Sequence, residues 1–382
     1  MRLSGAAVLG LVLVGCGGSD PTGTTPPKVG SIVVSTVTTG HDLDADGYLV
    51  TIDQQPARAL AVNDSIRVDS LSEGSHKVVL SGNTGNCRSD AVQLNLGVSS
   101  GAAARATFSV SCVRTQLHNQ IVYASGTEGA NILTAMNPDG SDPEVITFGD
   151  ENYFQPSVSP DGRQIAFLVD DSGITKIGIV NADGTGKRTL PTPGHFDGEP
   201  VWSPDGSSIA FRSERSGPFG DYGRIFIIDV STASVRQVSP EVAATDYKFD
   251  DTPSWSPDGT KIAFSRDGGG YTINPDGTGL TSLGTGCADP AWSPDGLRIA
   301  CSASVNQNYD VYLIDANGAN PVRLTTNERQ DQSAHWSPDG TQLVYMASAN
   351  GGFELFRVNS DGTGEIQLTQ TGGTVGASWW AW

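Results

Sequence analysis

Pro200-Val201-Trp202-Ser203-Pro204-Asp205-Gly206-Ser207-Ser208-Ile209-Ala210-Phe211 is the stretch whose reading decides the fold. Residues 200–202 read as a short strand. Pro204 and Asp205 fill the centre of a type I turn, proline presetting φ and aspartate capping backbone amides, and Gly206 takes the left-handed position that closes the hairpin with a bulge. Residues 209–211 form the next strand, 224–229 a third and 235–238 a fourth, at the edge. The Ser-Pro-Asp-Gly phrase recurs at 159–162, 203–206, 256–259, 293–296 and 337–340, every 37 to 53 residues, four times after a tryptophan: Trp202, Trp255, Trp292 and Trp336. Self-similarity at that period means stacked supersecondary units. A small twisted four-stranded sheet cannot bury both faces alone, and packing such sheets radially about an axis solves the problem as a β-propeller.

The blade count follows from the ends of the repeat. Residues 121–123, 132–137 and 144–147 read as a second, third and fourth strand whose first strand is missing. Ala377-Ser378-Trp379-Trp380-Ala381-Trp382 is similar to Ala334-His335-Trp336 without its turn, and it can supply that strand. Five whole units and one split unit predict six blades, with the C-terminal strand closing the first. The tryptophans favour this over an open array, because a solvated tail gains nothing from them. The Trp-Ser-Pro-Asp-Gly-x-x-Ile-Ala-Phe form resembles the WD-like repeats of the TolB-type six-bladed propellers over residues 120–382. The resemblance implies a propeller that binds other envelope proteins. An all-β module stands at the front of this chain, where that family carries an α/β domain.

That module spans residues 29–113. Period-two alternation at 32–34, 48–52, 66–68, 78–80, 92–96 and 107–110, with glycine and asparagine turns between, predicts a small β-sandwich. Leu71-Ser72-Glu73-Gly74-Ser75-His76-Lys77-Val78 resembles PEGA-type surface modules, which implies a spacer or adhesive unit. Asp42, Asp44 and Asp46 alternate ahead of Gly47, and Asp53 stands at the twelfth position, as in a calcium-binding EF-hand loop. The flanks read as strands, so an aspartate-rich hairpin turn is the plainer alternative.

The chain begins with Arg2 and a short apolar run over residues 5–14, too short to span a membrane and suited to a signal peptide over 1–15. Leu13-Val14-Gly15-Cys16 resembles the lipobox of bacterial lipoproteins, which implies lipidation of Cys16 and an envelope location. Gly17, where inner-membrane retention calls for Asp, points to the outer membrane. An ordinary signal peptide with an incidental cysteine is the alternative. Residues 16–28, rich in Gly, Ser, Thr and Pro, read as a flexible tether. Export implies an oxidising compartment, so Cys87 with Cys112 and Cys287 with Cys301 are candidate local pairs, against free buried thiols. Such a bridge contributes roughly 3 kcal/mol.

The formal net charge of −19 excludes nucleic acid as a natural partner, since a phosphate backbone needs a basic surface, and favours cationic partners. Gly97-Val98-Ser99-Ser100-Gly101 matches a nucleophile elbow, but that motif needs a helix after it, and here another strand follows. The five histidines show no metal-ligand spacing. His195 and His335 could approach the axis, as in pectin-fragment lyases that use a similar propeller with a histidine-held metal. In each repeat two connections are tight aspartate-glycine turns, so the variable connections share the other face. They carry Tyr153, Phe154, His195, Phe196, Phe219, Tyr222, Tyr247 and Phe249 among carboxylates. Rings supply contact area at low entropy cost and carboxylates select cations. The expectation is an all-β, non-catalytic envelope lipoprotein, without cofactor unless calcium binds, that holds a protein or peptide on this face. A carbohydrate-binding or carbohydrate-cleaving propeller and a purely structural surface protein are the alternatives.

Overall fold

A computed structural model describes residues 27–126, 131–147, 151–171, 173–192, 196–217, 220–240 and 248–379. They fall into two compact units, residues 27–39 with 43–112, and residues 40–42 with 113–379. The leader, Cys16 and most of the tether lie outside the described residues, as do His195, Phe219 and Tyr247.

The first unit is two four-stranded sheets over one core. One runs Ser65–Ser72, Val29–Gly40, Ala103–Cys112, Cys87–Ser89; the other runs Arg58–Leu60, Tyr48–Ile52, Gly74–Ser81, Gln93–Val98. Ile32, Val34, Tyr48, Val50, Val78, Phe108 and Val110 fill the space between them. Their alternation with exposed neighbours is the period-two signal of a sandwich with one wet face per sheet. Cys87 pairs directly across from Cys112 in the ladder and is bonded to it. The elbow-like stretch at 97–101 ends one strand and leads into another, as expected, so it has no helix to present a nucleophile.

The second unit is a ring of six four-stranded sheets. The third blade shows the pattern: Asp197–Trp202, Ser208–Gly217, Gly220–Asp229 and Val235–Gln237, from the axis outward. Its first turn folds as its residues require. Ser203 donates its hydroxyl to Asp205 at 2.6 Å, Asp205 accepts the Ser207 amide at 3.0 Å, and Gly206 has φ of 70°. The same serine–aspartate clasp recurs at Ser159, Ser256, Ser293 and Ser337. Each blade exposes an apolar face that only its neighbour can cover. Ile177, Ile179, Trp202, Ile209 and Phe211 form one such inter-blade core.

Closure comes from Thr374–Trp379. This strand pairs antiparallel with Ile121–Ser125, Trp379 opposite Ile121, and completes the blade of Ile132–Met136 and Glu144–Val145. Trp379 and Ala377 pack with Tyr123, Val344 and Leu355, joining the last blade to the first. Cys287 and Cys301, both buried, are bonded within the fifth blade, where Cys301 stands at the strand position held by Phe167, Phe211, Phe264 and Tyr345 elsewhere.

Candidate functional site

The inner strands line a central channel. In each blade the ladder between the first and second strands shifts register three residues before the last channel-lining position, between Phe154 and Ser157, Gly198 and Val201, Asp251 and Ser254, Ala288 and Ala291, Gln332 and His335, and Thr374 and Ala377. At each shift one residue adopts positive φ: Gln155 at 47°, Glu199 at 47°, Thr252 at 48°, Asp289 at 48°, Ser333 at 53° and Gly376 at 112°. Only the last is glycine. Left-handed backbone is unfavourable for the other five, most of all for β-branched Thr252, and such strain gathers where a fold aims side chains at a site.

These bulges tie neighbouring blades together around the mouth. The Glu199 amide donates to Gln155 Oε1 at 3.0 Å, and the Thr252 amide donates to Glu199 Oε2 at 3.3 Å. Farther round, Asp289 Oδ2 accepts the hydroxyls of Ser302 and Ser333, each at 3.2 Å. Amides freed from the ladder by the bulge thus find partners on the next blade, as enclosed backbone groups must.

The mouth opens into a cavity of about 830 Å³ lined by Phe154, Phe196, Phe353, Leu168 and Met346 as well as by Asp197, Glu199, Glu214 and Asp289. Among the described residues that line it, Arg212 is the one lysine or arginine. Its guanidinium lies 3.3 Å from Glu199 and 2.6 Å from Glu214. One cation therefore answers two carboxylates, and the rest of the negative field is left to the cavity. The field registers on Asp251, whose carboxyl is pushed up to about 7 by burial first and then by the charges of Glu199 and Asp289. Burial likewise raises Asp289 above the ordinary carboxylate range. Deeper along the axis, His335 lines both this cavity and a second one of about 100 Å³ walled by Trp202, Trp255, Trp292, Trp336 and Trp379. Desolvation drives the His335 imidazole down to about 4, so it is neutral at physiological pH.

The residues expected on the long-loop face sort unevenly. Phe154 and Phe196 line the cavity, and Phe196 is 41 % exposed. Phe249 lies under the Arg212 guanidinium of the cavity wall at 5.4 Å, and Tyr222 under that of the buried Arg224 at 4.7 Å, so both rings pack against cations. Tyr153 is a correction. It is 1 % exposed and packs edge-on against Phe167, because the strand starts at Tyr153 and turns that ring into the blade. The calcium loop is also corrected. Asp42 accepts the amides of Thr115 and Gln116, buried Asp44 accepts that of Thr84, and Asp53 accepts that of Lys77 and pairs with His76 at 2.7 Å. Among the described residues no three His, Cys, Asp or Glu side chains are grouped to hold a metal ion, at this loop or on the axis. The hairpin turn, the plainer alternative, is not formed either: Val29–Gly40 and Tyr48–Ile52, on either side of the segment, belong to different sheets, and the aspartates turn to separate backbone partners. Glu199, Asp289, Arg212 and Phe353 were not singled out in the sequence. The signal for the first two was a column of Gln155-Pro156, Glu199-Pro200, Thr252-Pro253 and Asp289-Pro290, the residue before proline at the same distance from each blade's first turn.

Comparison with known proteins adds the lineage. The family model described as the TolB beta propeller domain matches residues 152–274 and 278–381, more than half of the chain. The chain is similar to the crystal structure of TolB from Acinetobacter baumannii, with a TM-score of 0.60 and 19% identity over 87% of this chain and 82% of that one. It is also similar to the putative TolB from Agrobacterium tumefaciens, with a TM-score of 0.52 and 21% identity over 60% of this chain and 84% of that one. A chain of a nidogen/laminin complex aligns with a TM-score of 0.54 at 9% identity over 68% of this chain and 97% of that one. At these identities the likeness is one of fold. No curated protein matches the sequence.

Proposed function

We propose that this chain, which belongs to the TolB beta propeller domain family, is a non-catalytic binding scaffold of the bacterial cell envelope. In this reading it is anchored by a lipid on Cys16 and holds a protein or peptide at the long-loop mouth of its propeller. The observation that carries the reading is the mouth itself: an open cavity of about 830 Å³ with aromatic rims and a rigid, strained, hydrogen-bonded wall. A preformed concavity that mixes apolar area with a few oriented polar groups is the usual form of a binding site. The polar groups are held by one another around the ring, which suits recognition by a fixed surface. The leader and lipobox support the envelope location, and the net charge of −19 supports a cationic partner over nucleic acid.

The test is capture from envelope extract on the immobilised chain, with bound proteins identified by mass spectrometry. The double variant Phe154→Ala, Phe196→Ala is expected to lose the captured protein. Leu297→Ala, at an exposed position in a turn on the opposite face, is expected to retain it. Equal capture by both variants would reject the mouth as the binding surface. Binding to a glycan array with no protein captured would favour the carbohydrate alternative.

A further inference from the structure

We infer that the axial cavity is a receptor for one basic side chain, an arginine or lysine that a partner inserts along the propeller axis between Glu199 and Asp289 toward His335. The inference rests on the binding-scaffold reading and names what that site selects.

Three independent features converge on it. The first is charge. Of the described side chains lining the cavity, four are carboxylates and one is a guanidinium, and that guanidinium is already shared by Glu199 and Glu214. Asp289 accepts the hydroxyls of Ser302 and Ser333. Hydroxyl donors orient a carboxylate without neutralising it, which leaves a site with surplus negative potential in a low-dielectric concavity.

The second feature is His335. Its ring is desolvated, lines the channel, and has no hydrogen-bond partner among the described residues. Half-buried and open to the channel, it is placed to meet a group that enters along it. A neutral imidazole presents one lone pair and accepts a hydrogen bond from an ammonium or guanidinium. His335 lies two residues farther along its inner strand than Ser333, the bulge position equivalent to Glu199 and Asp289. Two residues of strand are about 6.6 Å. A long, flexible cationic side chain can span that depth while its carboxylate partners flank it.

The third feature is the wall between. Phe154, Phe196, Leu168, Met346 and Phe353 supply apolar surface around the mouth. The methylene stem of arginine or lysine packs on such surface while its head reaches polar groups beyond. A metal ion would need three grouped ligands, and none are grouped among the described residues. A small inorganic cation would also leave the apolar lining without contact.

The experiment uses the full chain and two fluorescent peptides, Gly-Ser-Arg-Ser-Gly and the same peptide with citrulline, read by anisotropy. Citrulline keeps the shape of arginine and removes its charge. One charge-assisted hydrogen bond exceeds a neutral one by an amount corresponding to about a tenfold difference in Kd. The arginine peptide is therefore expected to bind about tenfold more tightly. Asp289→Asn and Glu199→Gln are each expected to bring the two peptides within about twofold. His335→Leu, which fills the inner end with an apolar side chain, is expected to weaken both peptides, the arginine peptide more than the citrulline peptide, because the bond lost there is charge-assisted. Circular dichroism identifies any variant that has lost its fold, and the two remaining variants then decide. Equal binding of the two peptides, no binding of either, or discrimination that survives all folded variants would overturn the inference. Capture of an envelope protein without arginine preference would sink this inference and leave the scaffold reading standing. Arginine preference with no protein captured would do the reverse.

Discussion

The two ends of the propeller channel are built from the same six strands and obey different rules. At the inner end the strands finish on Val158, Trp202, Trp255, Trp292, Trp336 and Trp379, five tryptophans in six blades. At the mouth the equivalent bulge residues are Gln155, Glu199, Thr252, Asp289, Ser333 and Gly376, six different side chains. Every blade needs the same large apolar plug where sheets converge, so repetition there reports packing. Nothing in blade packing asks for six different residues at one left-handed position, five of them strained. The contrast teaches that in a repeat protein the repeated column builds the scaffold, while the column that has lost its repeat marks the site.

Removing a plug at the closed end should produce the largest effect. Trp379→Ala takes away the side chain that joins the last blade to the first and is expected to cost about 3–5 kcal/mol. That is about 10 °C in Tm for a unit of this size. Thermal unfolding followed by circular dichroism checks it, and an unchanged Tm would mean that the terminal strand does not lock the ring.

An intermediate effect of opposite sign is expected at the mouth. The Asp251 carboxyl is raised to about 7 in the folded chain by burial and by Glu199 and Asp289, against an ordinary value near 3.8. The folded state thus holds a proton that the unfolded state has lost between those two values, so this group removes stability as pH rises from about 4 to 7. Asp251→Asn should match the wild type below pH 4, gain in Tm as pH rises, and reach a constant advantage above pH 7. An advantage that does not change with pH would contradict the shared negative field.

The turns on the far face should behave in the reverse manner and give the smallest change. The Ser203 hydroxyl, followed by the Ser207 amide, holds the Asp205 carboxyl below the usual range. Its contribution is present above the unfolded value near 4 and is lost as pH falls through the folded value. Asp205→Ala is expected to cost about 1 kcal/mol at pH 7, with the gap to wild type closing in acid. A gap that widens in acid would reverse the assignment of that turn.

Legibility in the sequence followed the same divide. The five Ser-Pro-Asp-Gly turns were readable because each is a local solution in which serine, aspartate and glycine do separate jobs within six residues. The closing strand was readable from tryptophans that only burial explains. The mouth was largely hidden. Glu199 and Asp289 lie 90 positions apart in sequence and meet only through closure of the ring, so no local pattern marks them. Arg212 reads as the polar end of an apolar strand, although the bulge opposite turns its neighbour Glu199 toward it. Tyr153 was misplaced because it opens the strand Tyr153–Val158 instead of standing in the connection before it. The aspartates at 42–53 show the converse error, a spacing that suits a helical loop set on strands that separate the carboxylates.

Carboxyl footprinting compares both ends in one measurement. Carbodiimide and glycine ethyl ester label accessible carboxylates, and mass spectrometry reads each site with and without the arginine peptide. Glu199, Asp251 and Asp289 are expected to lose reactivity when the peptide is added, while Asp205, Asp258, Asp295 and Asp339 in the turns keep theirs. Protection of the turn aspartates with the mouth still reactive would contradict a binding site at the open end of the channel.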